Sequence, residues 1–223
     1  MILRRNRRGR LSGSKKMKIK NFWDKIAPRY AKDEIKDVDS YEKKLKTTQA
    51  HFTRKMKVLE IGCGTGMTAV IHSPFVKHYH ATDISSAMIE FSKNRAKEKN
   101  IGNISFGVCD ISNLKVKDSS VDAILAMSLL HLLDDFSNDL GVIARKLKPG
   151  GLFISSTPCL GDNMKFLKFI IPILKIIGYA PPSKIHFFKK TELLAAIEAY
   201  KFSVIHEWQP SPTKACFIIA RKD

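Results

Sequence analysis

The sequence predicts an α/β protein, a three-layer αβα sandwich around a mostly parallel sheet. Three observations carry this expectation. Short apolar runs of β-type residues alternate with stretches of helical period along most of the chain. The first of these runs, Lys57–Ile61, passes directly into a loop with glycines at 62, 64 and 66. The first three runs each close on an acid, Glu60, Asp83 and Asp110, and a parallel sheet would bring those acids to one edge. A chain of 223 residues with 44% hydrophobic content has the material for one core of domain size.

Residues 1–20 hold nine Lys/Arg and no acid, half of the formal charge of +18. With little apolar content and breaks at Gly9 and Ser12-Gly13-Ser14, they are expected to form a disordered basic tail. Two readings of the tail stand side by side. It is a solvated arm able to meet nucleic acid or anionic lipid, or an upstream extension of a protein translated from Met17. It has no apolar stretch of the secretory-signal kind.

One domain is expected over residues 21–223. Phe22, Trp23, Ile26 and Tyr30 recur at roughly helical spacing, interrupted by Pro28. Asp33 to Thr53 is polar and charged, a helical cap expected to turn Val38, Tyr41 and Leu45 inward. Lys57–Ile61 is the first strand. The glycines after it tolerate positive φ and lack a Cβ, so a ligand can touch bare main chain. The dinucleotide fingerprint Gly-x-Gly-x-x-Gly is not met, because the third glycine comes one residue early. Glu60 also places a carboxylate where a dinucleotide would need to tolerate pyrophosphate. A ligand with a positive centre suits this loop better.

Thr65–His72 reads as a short helix and His78–Thr82 as the second strand, ending on Asp83. An acid at that tip can accept both hydroxyls of a ribose, or cap the helix that begins near Ser86. That helix, Ser86–Asn100, is followed by a third strand, Ile104–Cys109, ending on Asp110. Val121–Met127 is nearly all apolar, as a central strand buried on both faces should be. Phe136–Leu147 is helical and stops at Lys148-Pro149-Gly150-Gly151, with a fifth strand over Gly151–Thr157. Beyond Pro158, Met164–Ile177 is very apolar, carries Lys165, Lys168 and Lys175, and contains Pro172, which should kink it. It fits a buried helix, a greasy lid over an apolar substrate, or a basic amphipathic face resting on a membrane. Thr191–Tyr200 is a further helix, and Phe202–Trp208 and Ala215–Ala220 are two further strands.

The run VLEIGCGTG (Val58–Gly66) resembles the first motif of the class I S-adenosylmethionine-dependent methyltransferases. FWDKIAPRY (Phe22–Tyr30) is similar to the FWDxxAxxY opening of their type 11 branch, which includes ubiquinone- and menaquinone-biosynthesis enzymes. Ser128-Leu129-Leu130-His131-Leu132 and the LKPGG turn resemble later parts of the same pattern. The resemblance covers residues 22–158 and implies a variable lid over about 159–186, where such enzymes differ with substrate. It implies a Rossmann-like fold with a seven-stranded, mostly parallel sheet whose last strand is antiparallel, and S-adenosyl-L-methionine as cofactor. On the positions that match, the cofactor-binding residues are Tyr30, Glu60, Gly62, Cys63, Gly64, Gly66, Asp83, Ile84, Asp110, Ile111 and Met127. Asp110 would bond the adenine amino group, with Ile111 beside the ring. Three converging carboxylates suit this cofactor's sulfonium, ammonium, ribose diol and adenine amine.

Methyl transfer from a sulfonium requires alignment and desolvation more than a strong catalytic group. Where the acceptor must lose a proton, His131 is the candidate base, as the one histidine at a strand's carboxyl edge beside the crevice. His78 and His80 alternate on strand two and face one way; with no third ligand they are read as structural, not metal-binding. Cys63, Cys109, Cys159 and Cys216 lack metal-type spacing and are read as buried free thiols of a cytoplasmic protein. The acceptor is expected to be a small apolar molecule, quinone-, lipid- or phenol-like, with peripheral contact to a membrane or anionic surface through tail and lid. An RNA methyltransferase is the rival that the charge suggests, but no RNA-binding module is recognisable and nucleic acid is disfavoured. A non-catalytic S-adenosylmethionine-binding module is the other rival. Glycine spacing and Glu60 disfavour a nicotinamide dehydrogenase.

Overall fold

Seven strands form one sheet in the order β3-β2-β1-β4-β5-β7-β6. The computed structural model describes residues 13–223. In chain order the elements are α1 (Gly13–Tyr30), α2 (Val38–Ala50), β1 (Lys57–Ile61), α3 (Met67–His72), β2 (His78–Asp83), α4 (Ser86–Glu98), β3 (Ile104–Val108), β4 (Val121–Met127), α5 (Phe136–Lys146) and β5 (Leu147–Pro158). They continue with α6 (Leu160–Asn163), α7 (Leu167–Ile176), α8 (Lys190–Ala199), β6 (Phe202–Trp208) and β7 (Ala215–Lys222). The strands from β3 through β5 pair in parallel, and β7 runs antiparallel to both β5 and β6. This is the expected Rossmann-like sandwich with an antiparallel last strand. Strand order reverses between β1 and β4, so a crevice opens outside their carboxyl ends.

Period-2 alternation builds the three layers. Leu59, Ile124 and Phe153 face a core shared with Leu140 and Ile143 of α5 and Leu193 and Ile197 of α8. Their neighbours Val58, Leu125 and Ile154 face the other core, with Ala69 of α3 and Ile89 of α4. Ala123–Ala126 of β4 are fully buried, as expected of a central strand. The Lys148-Pro149-Gly150-Gly151 turn lies within the bounds of β5. Val121 pairs with Leu147 and Ala123 with Leu152, so the turn is looped out between two consecutive pairings. Gly150 takes φ +74°, which only a glycine adopts without strain.

Four expectations need correction. The tail is not disordered to residue 20, because α1 begins at Gly13; residues 1–12 lie outside the described residues. Lys15 and Lys16 precede Met17, yet they pair with Asp134 and Asp110, at 2.8 and 3.0 Å. These partners lie far along the chain, so composition alone gives no sign of them. Pro28 does not interrupt the helix, which continues through it to Tyr30. Val38 opens α2 with its side chain exposed rather than turned inward. Cys109 is only half-buried, and all four thiols are free. His78 and His80 do share a face, since both rings bond Ser105 Oγ, at 3.0 and 2.8 Å.

Candidate cofactor and acceptor site

The glycine loop is held by backbone and by α4. Gly62, Gly64 and Gly66 all have positive φ. The Cys63 amide donates to the Thr82 carbonyl (3.0 Å), so β2 fixes the loop. Ser92, buried on α4, donates its hydroxyl to the Gly64 carbonyl at 2.9 Å. A Cβ at Gly66 would stand 2.7 Å from Ser92 Cβ and 3.0 Å from its Cα. Gly66→Ala is therefore expected to destabilise the protein by roughly 2–4 kcal/mol, from the left-handed backbone and the clash together. A urea titration checks this; an unchanged midpoint would show that the clamp gives way.

Asp83 stands at the tip of β2. Its Oδ2 accepts from the Gly64 amide (2.9 Å) and its Oδ1 from the Ser85 amide (2.9 Å), so it ties the loop to the start of α4. Burial raises its pKa against the pull of these amides. Each carboxylate oxygen keeps a further acceptor site. Glu60 is fully buried and accepts from Tyr79 Oη at 3.0 Å. Burial, opposed by that bond and aided by Asp83, lifts its pKa to about 8. Such a carboxyl is neutral at pH 7 unless a cation arrives. Burial, with Glu60 and Asp83 nearby, also raises the pKa of Cys63, keeping it a thiol. Burial pulls the Asp110 carboxyl upward, but the Ser112 amide and Lys16 outweigh it and leave the pKa lowered.

Helix α1 forms the outer wall. Its Asp24 accepts from Ser85 Oγ (2.7 Å) and the Ala87 amide (3.1 Å) at the start of α4, and pairs with Lys20. Burial would raise the Asp24 pKa, but these donors hold it at about 2. The Asp of the FWD run is thus the bolt that docks α1. Its last residue, Tyr30, sets ring atom Cε1 3.6 Å from where a Cβ at Gly64 would lie, so an aromatic edge covers the bare loop.

Two cavities meet over this loop. One, of about 190 Å³, is lined by Tyr30, Gly62, Gly64, Asp83, Ile84, Asp110, Ile111 and Met127, and walled by Lys16, Ile19 and Trp23 of α1. The other, of about 730 Å³, shares Tyr30, Gly62, Gly64 and Met127 and adds Glu60, Cys63, Tyr41 and Ser156. Ten of the eleven residues expected to bind cofactor therefore line one cavity or the other. Gly66 lines neither and acts through the clamp with Ser92. His131 also lines neither. Its ring Nδ1 is buried without a hydrogen-bond partner, and burial drops its pKa to about 4. Sequence reasoning missed Lys16 and Ser92, which no local pattern marks. Trp23, marked there by helical spacing alone, is a wall residue of the smaller cavity. Among the described residues no group of three His, Cys, Asp or Glu is arranged to hold a metal.

A family model described as a methyltransferase domain matches residues 52–194. A demethylmenaquinone methyltransferase of Leptospira interrogans is 29% identical over 148 residues, 61% of this chain and 59% of the relative. The chain thus spans about three fifths of that relative's length. The crystal structure of YcgJ from Bacillus subtilis superposes with a TM-score of 0.69 at 20% identity, covering 81% of this chain and 98% of that one. Geranyl diphosphate C-methyltransferase from Streptomyces coelicolor, solved with S-adenosyl-L-homocysteine, gives 0.74 at 15% identity, covering 95% and 99%. The residues that carry the sequence resemblance sit in the matched span or in the helix that walls its crevice, and the chain belongs to the methyltransferase domain family, with the fold of class I S-adenosylmethionine-dependent methyltransferases.

Proposed function

We propose that this protein is an S-adenosylmethionine-dependent methyltransferase acting on a small apolar acceptor. The observation that carries the reading is Asp83, clamped between the Gly64 and Ser85 amides with acceptor capacity facing the smaller cavity. A ribose diol is the ligand group that such a carboxylate suits. Glu60 lies behind the loop as a buried acid that a cation would ionise, and Asp110 with Ile111 offers an acceptor and an apolar face to a purine. The residues present fit the cofactor's donors from end to end.

S-adenosylmethionine supplies an electrophilic methyl group on a positively charged sulfur. The chain's part is positional. Tyr30 and Met127 line both cavities, and the cofactor would run through both, since Asp83 and Asp110 line the smaller and Glu60 and Cys63 the larger. The larger cavity falls within the size range of small-molecule sites. Relatives named for demethylmenaquinone and geranyl diphosphate support an acceptor with a large apolar part. Neither cavity is lined by a histidine, so an acceptor with a low proton-transfer barrier suits the site best.

Calorimetric titration with S-adenosylmethionine, S-adenosylhomocysteine and NAD tests the cofactor half. Micromolar affinity for both sulfur compounds and none for NAD is expected; no heat with either would overturn it. Turnover of radiolabelled cofactor against quinone, fatty-acid and phenolic acceptors tests the rest. Tight binding without turnover on any of them would leave only a binding module.

A further inference from the structure

Helix α7 turns its apolar side away from the protein. Phe166, Phe169, Ile170, Ile173, Ile176 and Ile177 are spaced three and four apart, so they form one stripe on a helical surface. All are exposed, Phe169 by 82% and Ile176 by 85%. No residue of α7 is buried. The opposite side, with Leu167, Ile171 and Leu174, is half-buried on the body. It is tied down by Lys175 Nζ on the Ser183 carbonyl (2.7 Å) and by the Tyr179 and Ala180 amides on the Leu174 carbonyl. A stripe of this extent held rigidly in water marks an interaction surface.

From Met164 to Ala180 every charged side chain is a lysine. Lys165 and Lys168 are exposed beside the stripe, Lys168 with its ammonium 5.2 Å from the Phe187 ring. We propose that this face docks on an anionic bilayer, the stripe entering the boundary between headgroups and acyl chains and the lysines meeting lipid phosphates. A single sign of charge beside one continuous apolar stripe matches that surface. A second copy of the chain is a poorer partner, because a two-fold contact through the stripe would bring two sets of lysines together.

Helix α7 follows β5 through α6, so it leaves the sheet at the carboxyl edge where the crevice opens. Ser183, bonded to Lys175, lines the smaller cavity. A docked bilayer would therefore lie on the side from which a lipid-soluble acceptor arrives. That purpose rests on the proposed apolar acceptor; the docking itself does not.

The test is flotation of the full chain with vesicles of phosphatidylcholine alone and of phosphatidylcholine mixed with phosphatidylglycerol. Binding to the mixed vesicles only, or much more strongly, is expected. Phe169→Glu, Ile173→Glu and Ile176→Glu together should abolish it while cofactor affinity and melting temperature stay unchanged, since all three side chains already face water. Lys165→Gln with Lys168→Gln should weaken it by roughly tenfold to thirtyfold. The proposal is overturned if the wild type fails to float. It is overturned if the triple-Glu variant floats as well as the wild type, which would assign binding to the basic N-terminal residues. It is overturned too if sedimentation shows a dimer that the triple-Glu variant dissolves. Vesicle binding without methyl transfer would keep the docking and remove the acceptor reading.

Discussion

Asp83→Ala is expected to weaken S-adenosylmethionine binding by at least a hundredfold while the sheet stays folded. Two hydrogen bonds to an ionised carboxylate are worth roughly 3–6 kcal/mol in all, a factor of about 10² to 10⁴. The same substitution frees the Gly64 and Ser85 amides, so some loss of melting temperature accompanies it. Asp83→Asn separates the two effects. It keeps an acceptor for one amide but loses the charge and one acceptor oxygen, so affinity should fall far more than stability. Calorimetry and thermal melting on the same samples read both. Wild-type affinity in the alanine variant would remove the ribose assignment and the functional reading that rests on it.

Glu60 should make both stability and binding depend on pH. Its pKa is near 8 in the fold against 4.5 for an ordinary glutamate, so the folded protein holds a proton that the unfolded chain releases. The stabilising contribution of that proton is complete below about pH 4.5 and disappears as pH rises through about 8. The melting temperature without ligand should fall across this window, and Glu60→Gln should flatten the fall. A cation placed beside Glu60 favours its ionised form, so cofactor binding should expel a proton. Affinity should then rise with pH, by up to about tenfold per unit, and level off near 8. Titration in buffers of different ionisation enthalpy counts the proton directly. No proton release near pH 7, or the same release in Glu60→Gln, would detach Glu60 from the ligand's charge.

The sheet was readable because burial on both faces leaves a strong mark on composition. Val121–Met127 could hardly be anything but a central strand, and the acids at 60, 83 and 110 line up once parallel pairing is assumed. Features that depend on distant partners left no such mark. Nothing about Lys15 or Lys16 signals a helix, because what anchors them are Asp134 and Asp110, about a hundred residues away. Ser92 reads as an ordinary polar residue of an amphipathic helix, yet its hydroxyl holds the glycine loop. His131 shows the converse case. Being next to a strand end in sequence fixes where a Cα lies, not which way an imidazole points. The run Met164–Ile177 was ambiguous for a different reason: an apolar stripe is the same string of letters whether it meets the core or the solvent.

The α1 wall has a consequence for the economy of ligand binding. Only Ile19 and Ala27 of its eighteen residues are buried, Phe22, Trp23 and Ile26 are half-buried, and ion pairs and hydrogen bonds from Lys15, Lys16, Lys20 and Asp24 add to its attachment. An element with so little buried apolar surface opens at a lower free energy than the sheet it rests on. The site thus joins a deeply buried sheet edge to a helix that rests on it at the surface. Because Lys16, Ile19 and Trp23 wall the smaller cavity, the strength with which α1 is docked bears directly on how readily spent cofactor leaves.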